Sequence, residues 1–330
     1  MRLVKLILSF IYLLLISVRN FLYETGLLKT YNFDTPIISI GNITVGGNGK
    51  TPMTMYIANK LIEKKYRVGI ISRGYKKKNK GTIIVSNGNE LLSSAIFSGD
   101  EAYLMAKKIR KAYVISDENK VRGTKIMIEK YKPNIILLDD GFQHRKINKK
   151  LDIILINSKI PISSYKLLPY GLLREPISNI DKADMIITTY GSELSININK
   201  NGPIYNSDMK FSIKKEYEGK LIPCEIEDEK LLAFCGIANA NLFINEVQKM
   251  NLKISEKLIF IDHVAYSKNL ISKICTIMKN KKIDSLITTE KDFVKLPRNF
   301  LDKISLYVLC MEVNFDKNIN FIDKLLNSIK

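Results

Sequence analysis

Short apolar runs alternate with segments of helical periodicity along most of the chain. Continuous runs rich in Ile, Leu and Val predict strands at residues 36–43, 67–75, 81–87, 112–117, 134–144, 151–157 and 183–190. Apolar positions at helical spacing predict helices between them, at residues 51–65, 100–112 and 118–132. Strands that are apolar throughout are typical of a parallel sheet covered by helices on both faces. The pattern therefore predicts an α/β fold.

The second part of the chain repeats this pattern on a smaller scale. A polar segment at 191–208 marks a boundary, and residues 209–223 alternate polar and apolar positions as a hairpin does. Further strands are predicted at 230–239, 253–263, 285–292 and 306–313, with helices near 241–250 and 267–280. A length of 330 residues suits two domains better than one. We predict an N-terminal helix at 1–25, a large domain at 26–205, a linker hairpin at 206–222 and a smaller α/β domain at 223–330.

The first 23 residues are strongly apolar. The uncharged run between Lys5 and Arg19 covers about 20 Å as a helix, which is short for the roughly 30 Å core of a bilayer. Polar residues recur at helical spacing, with Ile16 as the one apolar break, at Arg2, Lys5, Ser9, Tyr12 and Arg19. We interpret the segment as a helix lying in a membrane surface. A weak transmembrane span, a buried structural helix and a signal peptide are the alternatives, although no small-x-small cleavage site follows.

A glycine-rich turn, TVGGNGKT, separates the first predicted strand from the first predicted helix. Its candidate nucleotide-binding residues are Thr44, Val45, Gly46, Gly47, Asn48, Gly49, Lys50 and Thr51. Glycines allow the backbone to turn successive N–H groups toward a phosphate, and the helix N-terminus adds partial positive charge. In such a loop Lys50 contacts the outer phosphates of ATP and the Thr51 hydroxyl binds Mg²⁺. The turn departs from the P-loop signature at Thr44, where glycine is usual, and a turn without a ligand is the alternative.

Two adjacent acids follow the strand predicted at 134–144. A P-loop enzyme needs an acid at the end of a buried strand to hold its metal ion, and Asp139 and Asp140 occupy that place. Adjacent carboxylates repel each other, so a bound cation is the natural solution. A helix cap or a simple turn is the alternative, since Asp-Asp-Gly is also good turn chemistry. We predict a magnesium site formed by Thr51, Asp139 and Asp140.

Eight motifs occur in the order found in the tetraacyldisaccharide 4'-kinase family, which the chain resembles over almost its whole length. They are TVGGNGKTP at 44–52, ISRGY at 71–75, SGDEA at 98–102, LLDDGFQHR at 137–145, LLPYGLLREP at 167–176, FCGIAN at 234–239, DH at 262–263 and TTEKD at 288–292. The resemblance implies a P-loop NTPase-like α/β/α sandwich, with a second, smaller α/β domain and a two-stranded linker. It also implies transfer of a phosphoryl group from ATP, with Mg²⁺, to the 4'-hydroxyl of a tetraacylated glucosamine disaccharide 1-phosphate.

The resemblance also suggests roles for individual residues. Asp100 and His263 match a proposed catalytic dyad. In that dyad Asp100 takes the hydroxyl proton, and His263 orients or tunes Asp100. Lys50 is the third catalytic candidate. The substrate-side candidates are Arg73, Tyr75, Gln143, His144, Arg174 and Glu175. Three departures from the family pattern stand out: lysines 76–78 after SRGY, Val264 after DH, and only a loose match around Arg122.

The chain carries a net charge of +19, which indicates an anionic partner. Charge alone does not choose among nucleic acid, a phosphorylated substrate and an acidic membrane. The family resemblance implies a glycolipid substrate and attachment to the anionic cytoplasmic face of the Gram-negative inner membrane, and we expect a monomer. A nucleic-acid-binding NTPase is disfavoured because no clear clusters of aromatic and basic residues occur. A membrane-associated P-loop ATPase or switch without a sugar acceptor is the alternative, although a GTP-type N-K-x-D motif is lacking. The four widely spaced cysteines predict single thiols rather than a zinc site or a disulfide framework.

Overall fold

The computed structural model describes residues 2–192, 196, 202–226, 229–315 and 320–329. The strands are β1 (Ile37–Gly41), β2 (Val68–Ser72), β3 (Ile83–Asn87), β4 (Tyr113–Ser116), β5 (Ile135–Asp139), β6 (Leu151–Asn157), β7 (Met185–Thr189), β8 (Ile204–Tyr217), β9 (Lys220–Pro223), β10 (Leu231–Cys235), β11 (Ile254–Ile259), β12 (Ser285–Thr289) and β13 (Ser305–Phe315). The α-helices are α1 (Arg2–Glu24), α2 (Lys50–Glu63), α3 (Ala95–Ser98), α4 (Asp100–Lys108), α5 (Lys120–Tyr131), α6 (Ala240–Lys249), α7 (Lys268–Lys281), α8 (Glu290–Phe293), α9 (Arg298–Leu301) and α10 (Phe321–Ile329).

The strands of the described residues form one sheet. Their order is β11-β10-β12-β13-β8-β7-β6-β1-β5-β2-β4-β3, and β9 pairs with β8. β1 runs parallel to both of its neighbours, β5 and β6. The strands β1, β2 and β5 are buried at every position, as their uninterrupted apolar sequences predict. The predicted α/β fold with a parallel-rich sheet is therefore confirmed.

The long strand β8 joins the two halves of this sheet. Its first residues, 204–206, pair in parallel with β7, and its residues 207–215 pair antiparallel with β13. The hairpin of β8 and β9 lies where the sequence predicts the linker, and it pairs Lys214 with Pro223. The domain boundaries stay a prediction, and residues 193–195 and 197–201 of the predicted boundary segment lie outside the described residues.

The last helix, α10, packs on the part of the molecule that carries the glycine-rich turn. Phe321 of α10 stacks on Phe315, with ring centroids 5.0 Å apart. Leu325 is fully buried in the same apolar cluster as Ile57 and Leu61 of α2. The smaller domain predicted at 223–330 thus ends with a helix that stabilises the core beneath α2.

We predict that Leu325→Ala destabilises this shared core. The substitution removes a fully buried side chain, so we expect a loss of about 2–5 kcal/mol in the free energy of unfolding. Thermal and urea unfolding should show the loss, while Asn327→Ala, on the exposed side of the same helix, should change stability little. Equal effects of the two substitutions would show that α10 does not form part of the core.

Candidate functional site

The glycine-rich turn connects β1 to α2 at the edge of the sheet where the parallel strands end. Gly46 and Gly49 have φ angles of 104° and 77°, in the left-handed region that only glycine adopts without strain. A side chain at Gly49 would also displace the terminal methyl group of Met209, which is flexible, so the φ angle is the constraint that requires glycine there. A side chain at Gly46 or Gly47 would meet no atom within 4 Å, which leaves open space beside the loop.

Several backbone N–H groups of the turn lack a hydrogen-bond acceptor in the described part of the chain. Among the described residues, nothing accepts a hydrogen bond from the N–H groups of Gly46, Gly47, Asn48 or Gly49. The first turn of α2 likewise begins without a side-chain cap. Unused N–H groups at a helix N-terminus are a ready site for a phosphate group. The N–H of Val45 is different, because it donates to the Leu172 carbonyl at 2.8 Å.

Polar side chains hold the turn in this shape. The amide of Asn42 donates to the Thr44 carbonyl at 2.7 Å, and the Thr44 hydroxyl lies 3.3 Å from Asn48 Oδ1. On the other side, the Thr189 hydroxyl donates to the Asn48 carbonyl at 3.3 Å. The Thr44 side chain, the departure from the P-loop signature, therefore serves to brace the turn. Its hydroxyl forms an internal contact that glycine could not form.

The structure brings Lys50 to the predicted acid pair. Its ammonium donates to Asn42 Oδ1 at 3.1 Å and lies 3.6 Å from Asp140 Oδ1. Arg174 approaches the other side of the same carboxylate, with Nη1 3.1 Å from Asp140 Oδ2. Burial opposes the charge on Asp140, but Lys50, Arg174 and Lys120 outweigh it and lower the pKa of this carboxyl. Asp140 is therefore ionised at neutral pH.

Asp139, the last residue of β5, is in a different electrostatic state. Its oxygens lie 3.4 Å from the Thr54 hydroxyl and 3.3 Å from the Ser72 hydroxyl, both buried. Burial first, then the charges of Glu101 and Asp140, raise the pKa of this carboxyl. Asp140 is thus ionised, whereas burial disfavours the charged form of Asp139. A cation close to Asp139 would remove that penalty.

Lys120 is a site residue that the sequence analysis missed. Its ammonium is buried at the start of α5 and donates to the backbone carbonyls of Asp139 and Asp140, at 2.6 and 2.7 Å. These bonds fix the backbone at Asp140, whose φ of 50° is unusual for a residue other than glycine. One sequence signal was present, because the helix dipole disfavours a lysine in a first turn. Arg122, the residue singled out there, instead pairs with Asp117 at 2.7 Å.

Asp100 and His263 meet although 163 positions separate them in the sequence. His263 Nδ1 lies 2.8 Å from Asp100 Oδ2, and the other carboxylate oxygen accepts from the Glu101 N–H at 2.9 Å. The Tyr75 ring lies beside the imidazole, with centroids 4.9 Å apart. Asp100 stands in the first turn of α4, and His263 adopts a left-handed φ of 59°. Both side chains are thus held by their local backbone.

With this geometry in place, comparison with known proteins identifies the family. The sequence model of the tetraacyldisaccharide-1-P 4'-kinase (LpxK) family matches residues 1–330. This chain belongs to that family.

Individual relatives agree with this assignment. The tetraacyldisaccharide 4'-kinase of Halothermothrix orenii is 33% identical over 343 residues, covering 95% of this chain and 89% of its own length. The enzyme of the same name from Aquifex aeolicus is 36% identical over 289 residues, and the match covers 87% of this chain and 88% of that enzyme. A crystal structure of LpxK from Aquifex aeolicus in complex with ATP superimposes with a TM-score of 0.84 at 32% identity, covering 100% of this chain and 99% of that one.

The substrate-side residues suggested by the family motifs fall into two groups. Arg73 and Tyr75 are exposed, and Arg174 reaches the acid pair through its guanidinium. Gln143 turns back on the protein, since its amide donates to the Asn42 carbonyl at 2.6 Å. Glu175 is fully buried, so no part of its side chain is open to a substrate. Arg73, Tyr75 and Arg174 therefore stay predictions as substrate-side residues, and Glu175 has no exposed surface to offer a substrate.

Glu175 instead binds the N-terminal helix. One of its oxygens pairs with Arg19 of α1, and the other accepts from Asn20 and Asn179, at 3.1 and 2.6 Å. The backbone carbonyl of the preceding residue, Arg174, accepts from the Tyr12 hydroxyl at 3.1 Å. We therefore assign Glu175 to the docking of α1 and do not carry its substrate assignment further.

His144 is held in its neutral form. Burial first, then the charges of Lys120 and Lys149, lower the pKa of the imidazole to about 4. Its Nε2 atom is buried and has no hydrogen-bond partner among the described residues. In this structure the imidazole is thus a neutral ring inside the protein. It offers no positive charge to a phosphate.

We predict that His144 stays neutral from pH 7 to pH 5. An unfolded histidine takes up a proton near pH 6.5, whereas the folded protein does so only near 4, so His144 makes the fold less stable as pH falls through this window. Between pH 7 and pH 5, this effect lowers the free energy of unfolding by at most about 2 kcal/mol. An NMR titration should place the imidazole midpoint near 4. The imidazole signal that disappears in His144→Gln is the signal of His144. A titration midpoint at the ordinary value for histidine would contradict the prediction.

Proposed function

We propose that this chain transfers the γ-phosphoryl group of ATP to the 4'-hydroxyl of a tetraacylated glucosamine disaccharide 1-phosphate, giving the 1,4'-bisphosphate. Membership of a family named for this reaction supports the acceptor. The observation that carries the donor half is the turn at 44–51, with its unused N–H groups and with Lys50 3.6 Å from Asp140. An ATPase without a sugar acceptor is not favoured, because the relatives are named as kinases of the disaccharide.

The residues present fit a magnesium ion. Thr51, Asp139 and Asp140 offer only oxygen atoms, which are the ligands that Mg²⁺ prefers. Thr51 and Asp139 are both buried, and burial raises the pKa of the Asp139 carboxyl although Lys120 and Lys50 act in the opposite direction. When bound, Mg²⁺ neutralises charge on the phosphate oxygens. We propose these three residues as its holders in this chain.

The protein's own groups supply the remaining positive charge. Backbone N–H groups of the glycine-rich turn and the Lys50 ammonium would surround the outer phosphates of ATP. Phosphoryl transfer depends mainly on such positioning and charge stabilisation, because the transition state spreads negative charge over the transferred group. Asn42 holds the Lys50 ammonium in place before the nucleotide arrives. This arrangement is therefore preorganised by the fold.

Asp100 is the proposed base. It would accept the proton of the 4'-hydroxyl as that oxygen attacks the γ-phosphorus, and His263 fixes the carboxylate through the 2.8 Å contact. Arg73, Tyr75 and Arg174 remain the side chains that we place toward the substrate. Arg73 and Arg174 are cations, which suits the phosphate of a disaccharide 1-phosphate. Tyr75 covers His263 and limits its movement.

We further propose that α1 lies in an anionic membrane surface. In the described residues α1 is the one helix long and apolar enough to span a bilayer. Its polar stripe, however, faces the protein: Ser9 donates to the Leu167 carbonyl at 2.8 Å, and Arg2 to the Tyr170 hydroxyl at 3.1 Å. Its apolar side chains face outward, with Leu3 69% exposed.

This orientation favours an in-plane helix. A spanning helix would draw the irregular loop at 165–175, with its charged residues Lys166, Arg174 and Glu175, into the hydrocarbon. Backbone groups outside helices and sheets lose their hydrogen bonds to water there. An in-plane helix buries only the outward face and leaves the docked loop at the surface. Ile16, the apolar residue within the polar stripe, is buried against the protein and helps to hold the helix there.

We predict that purified protein adds a second phosphate to the disaccharide 1-phosphate lipid in detergent with ATP and Mg²⁺. We expect Lys50→Ala to lower kcat/KM by about 10³-fold and His263→Ala by about 10²-fold, because charge stabilisation outweighs the base in phosphoryl transfer. Lys60→Ala, on the exposed side of α2, is the control. Brisk ATP hydrolysis without lipid phosphorylation would refute the kinase assignment, and equal losses in the two variants would refute the ranking.

We predict that Phe10→Ser combined with Leu14→Ser weakens binding to vesicles containing phosphatidylglycerol at least tenfold. These side chains are 61% and 50% exposed, and each apolar side chain buried in the membrane contributes about 1.5–3 kcal/mol. The matched control is Leu91→Ser with Leu92→Ser, which changes two leucines of similar exposure elsewhere. Flotation assays should separate the two variants. Unchanged binding of the α1 variant would contradict an in-plane role.

A further inference from the structure

The TTEKD motif, to which the sequence analysis gave no role, brings two lysines to the proposed base. β12 ends in this motif at Thr289, and α8 follows directly. Lys291 lies in α8 and Lys295 in the turn after it. Both side chains cross from this segment to the start of α4, where Asp100 stands. The proposed base and these lysines therefore belong to elements that are distant in the sequence.

The two lysines make different contacts. Lys291 forms an ion pair with Glu101, the neighbour of Asp100. The Lys295 ammonium lies 4.0 Å from Asp100 Oδ2, the oxygen that also contacts His263. The same ammonium lies 2.9 Å from Asp292 Oδ1. Lys295 is thus placed between the carboxylate of the motif and the carboxylate of the dyad.

Lys295 is a buried cation shared by two buried carboxylates. Its side chain is only 10% exposed, and its ammonium has no aligned hydrogen-bond acceptor among the described residues, including Asp292. Its charge is balanced by the Asp292 carboxylate at 2.9 Å, and the Tyr266 ring, 5.4 Å away, adds a weak contact. Since the ammonium also lies 4.0 Å from Asp100, its charge acts on the dyad as well as on Asp292.

The surroundings of Asp100 explain that use. Burial raises the pKa of Asp100, and the bond to His263 and the charges of Lys291 and Lys295 reverse the effect, so that the net pKa is lowered. Three acids nearby oppose this: Glu101 beside it, Asp292 behind Lys295, and Asp262, 3.6 Å from His263 Nε2. One further cation, Lys76, lies on the far side of the dyad, where it donates to the Asp262 carbonyl at 2.9 Å. A buried carboxylate among three further acids needs cations to stay charged.

We propose that Lys295, assisted by Lys291, is a positioning residue that keeps the Asp100 carboxylate charged and turned toward His263. The inference rests on the proposed function, in which Asp100 receives the proton of the sugar hydroxyl. It gives the TTEKD segment a task that neither the phosphate loop nor the acid pair performs. Since Asp100 lies on α4 and its partners follow β11 and β12, the base is complete only when these parts of the molecule meet.

The test is the pH profile of kcat/KM for Lys295→Met and Lys295→Arg. Loss of an opposite charge at this distance should raise the pKa of a carboxylate, so we expect the acid limb of Lys295→Met to move up by about one pH unit. At a pH on that limb, activity should fall about tenfold, with an unchanged KM for ATP. Lys295→Arg retains the charge and should restore the wild-type limb. A Lys295→Met profile that coincides with wild type would overturn the inference.

Two further variants separate the inference from folding defects and from the proposed function. Lys295→Met leaves Asp292 buried without its cation, so the double variant Asp292→Asn with Lys295→Met removes both charges and should keep the fold. The double variant should show a limb shifted in the same direction but by less, because loss of the Asp292 charge favours the charged form of Asp100. A lower melting temperature without a shifted limb would mean that Lys295 is only structural. Asp100→Asn must be nearly inactive; if it retained wild-type activity, the assignment of the base itself would fail.

Discussion

The structure depends on two adjacent carboxyl groups at the end of a parallel strand, of which Asp139 is buried and Asp140 is partly exposed. Asp139 is the last residue of β5 and is buried, so burial opposes its charge. Asp140 follows it in a left-handed backbone conformation. The protein stabilises this arrangement from three directions. Lys120 binds the two backbone carbonyls, and Lys50 and Arg174 approach the Asp140 side chain. Each cation comes from a different element, so the acid pair determines how those elements meet.

The local parts of the site could be predicted from the sequence. A strand, a glycine-rich turn and a helix are consecutive in the chain, so the positions of Gly46, Gly49 and Lys50 follow from periodicity and backbone chemistry. The place of Asp139 and Asp140 could be predicted equally well, because an apolar run that ends in two acids identifies a strand end. These predictions needed no knowledge of packing. They concern groups whose neighbours in space are also their neighbours in sequence or lie at the same edge of a parallel sheet.

The long-range parts could not be predicted in this way. Lys120 reaches the acid pair only because α5 packs on β2 and β4, and β2 is the neighbour of β5 in the sheet. A single lysine in a helical segment does not reveal that contact. The contact between Asp100 and His263 was suggested by family motifs alone, since no periodicity links positions 163 residues apart. Glu175 was misplaced for the same reason. Its motif indicated proximity to the site, but only the packing of α1 shows that its carboxylate turns away from it.

The segment containing Arg174 and Glu175 links the membrane-facing helix to the chemistry. The Arg174 side chain binds Asp140, its backbone carbonyl accepts from Tyr12 of α1, and Glu175 binds Arg19 and Asn20. α1 is therefore not a detachable anchor, because its polar side is part of the wall that holds the acid pair. In the proposed membrane orientation, a helix with its apolar face outward and its polar face docked in this way would orient the glycine-rich turn relative to the lipid surface. Such coupling would suit an enzyme whose acceptor is a lipid headgroup, because the acceptor lies at that surface.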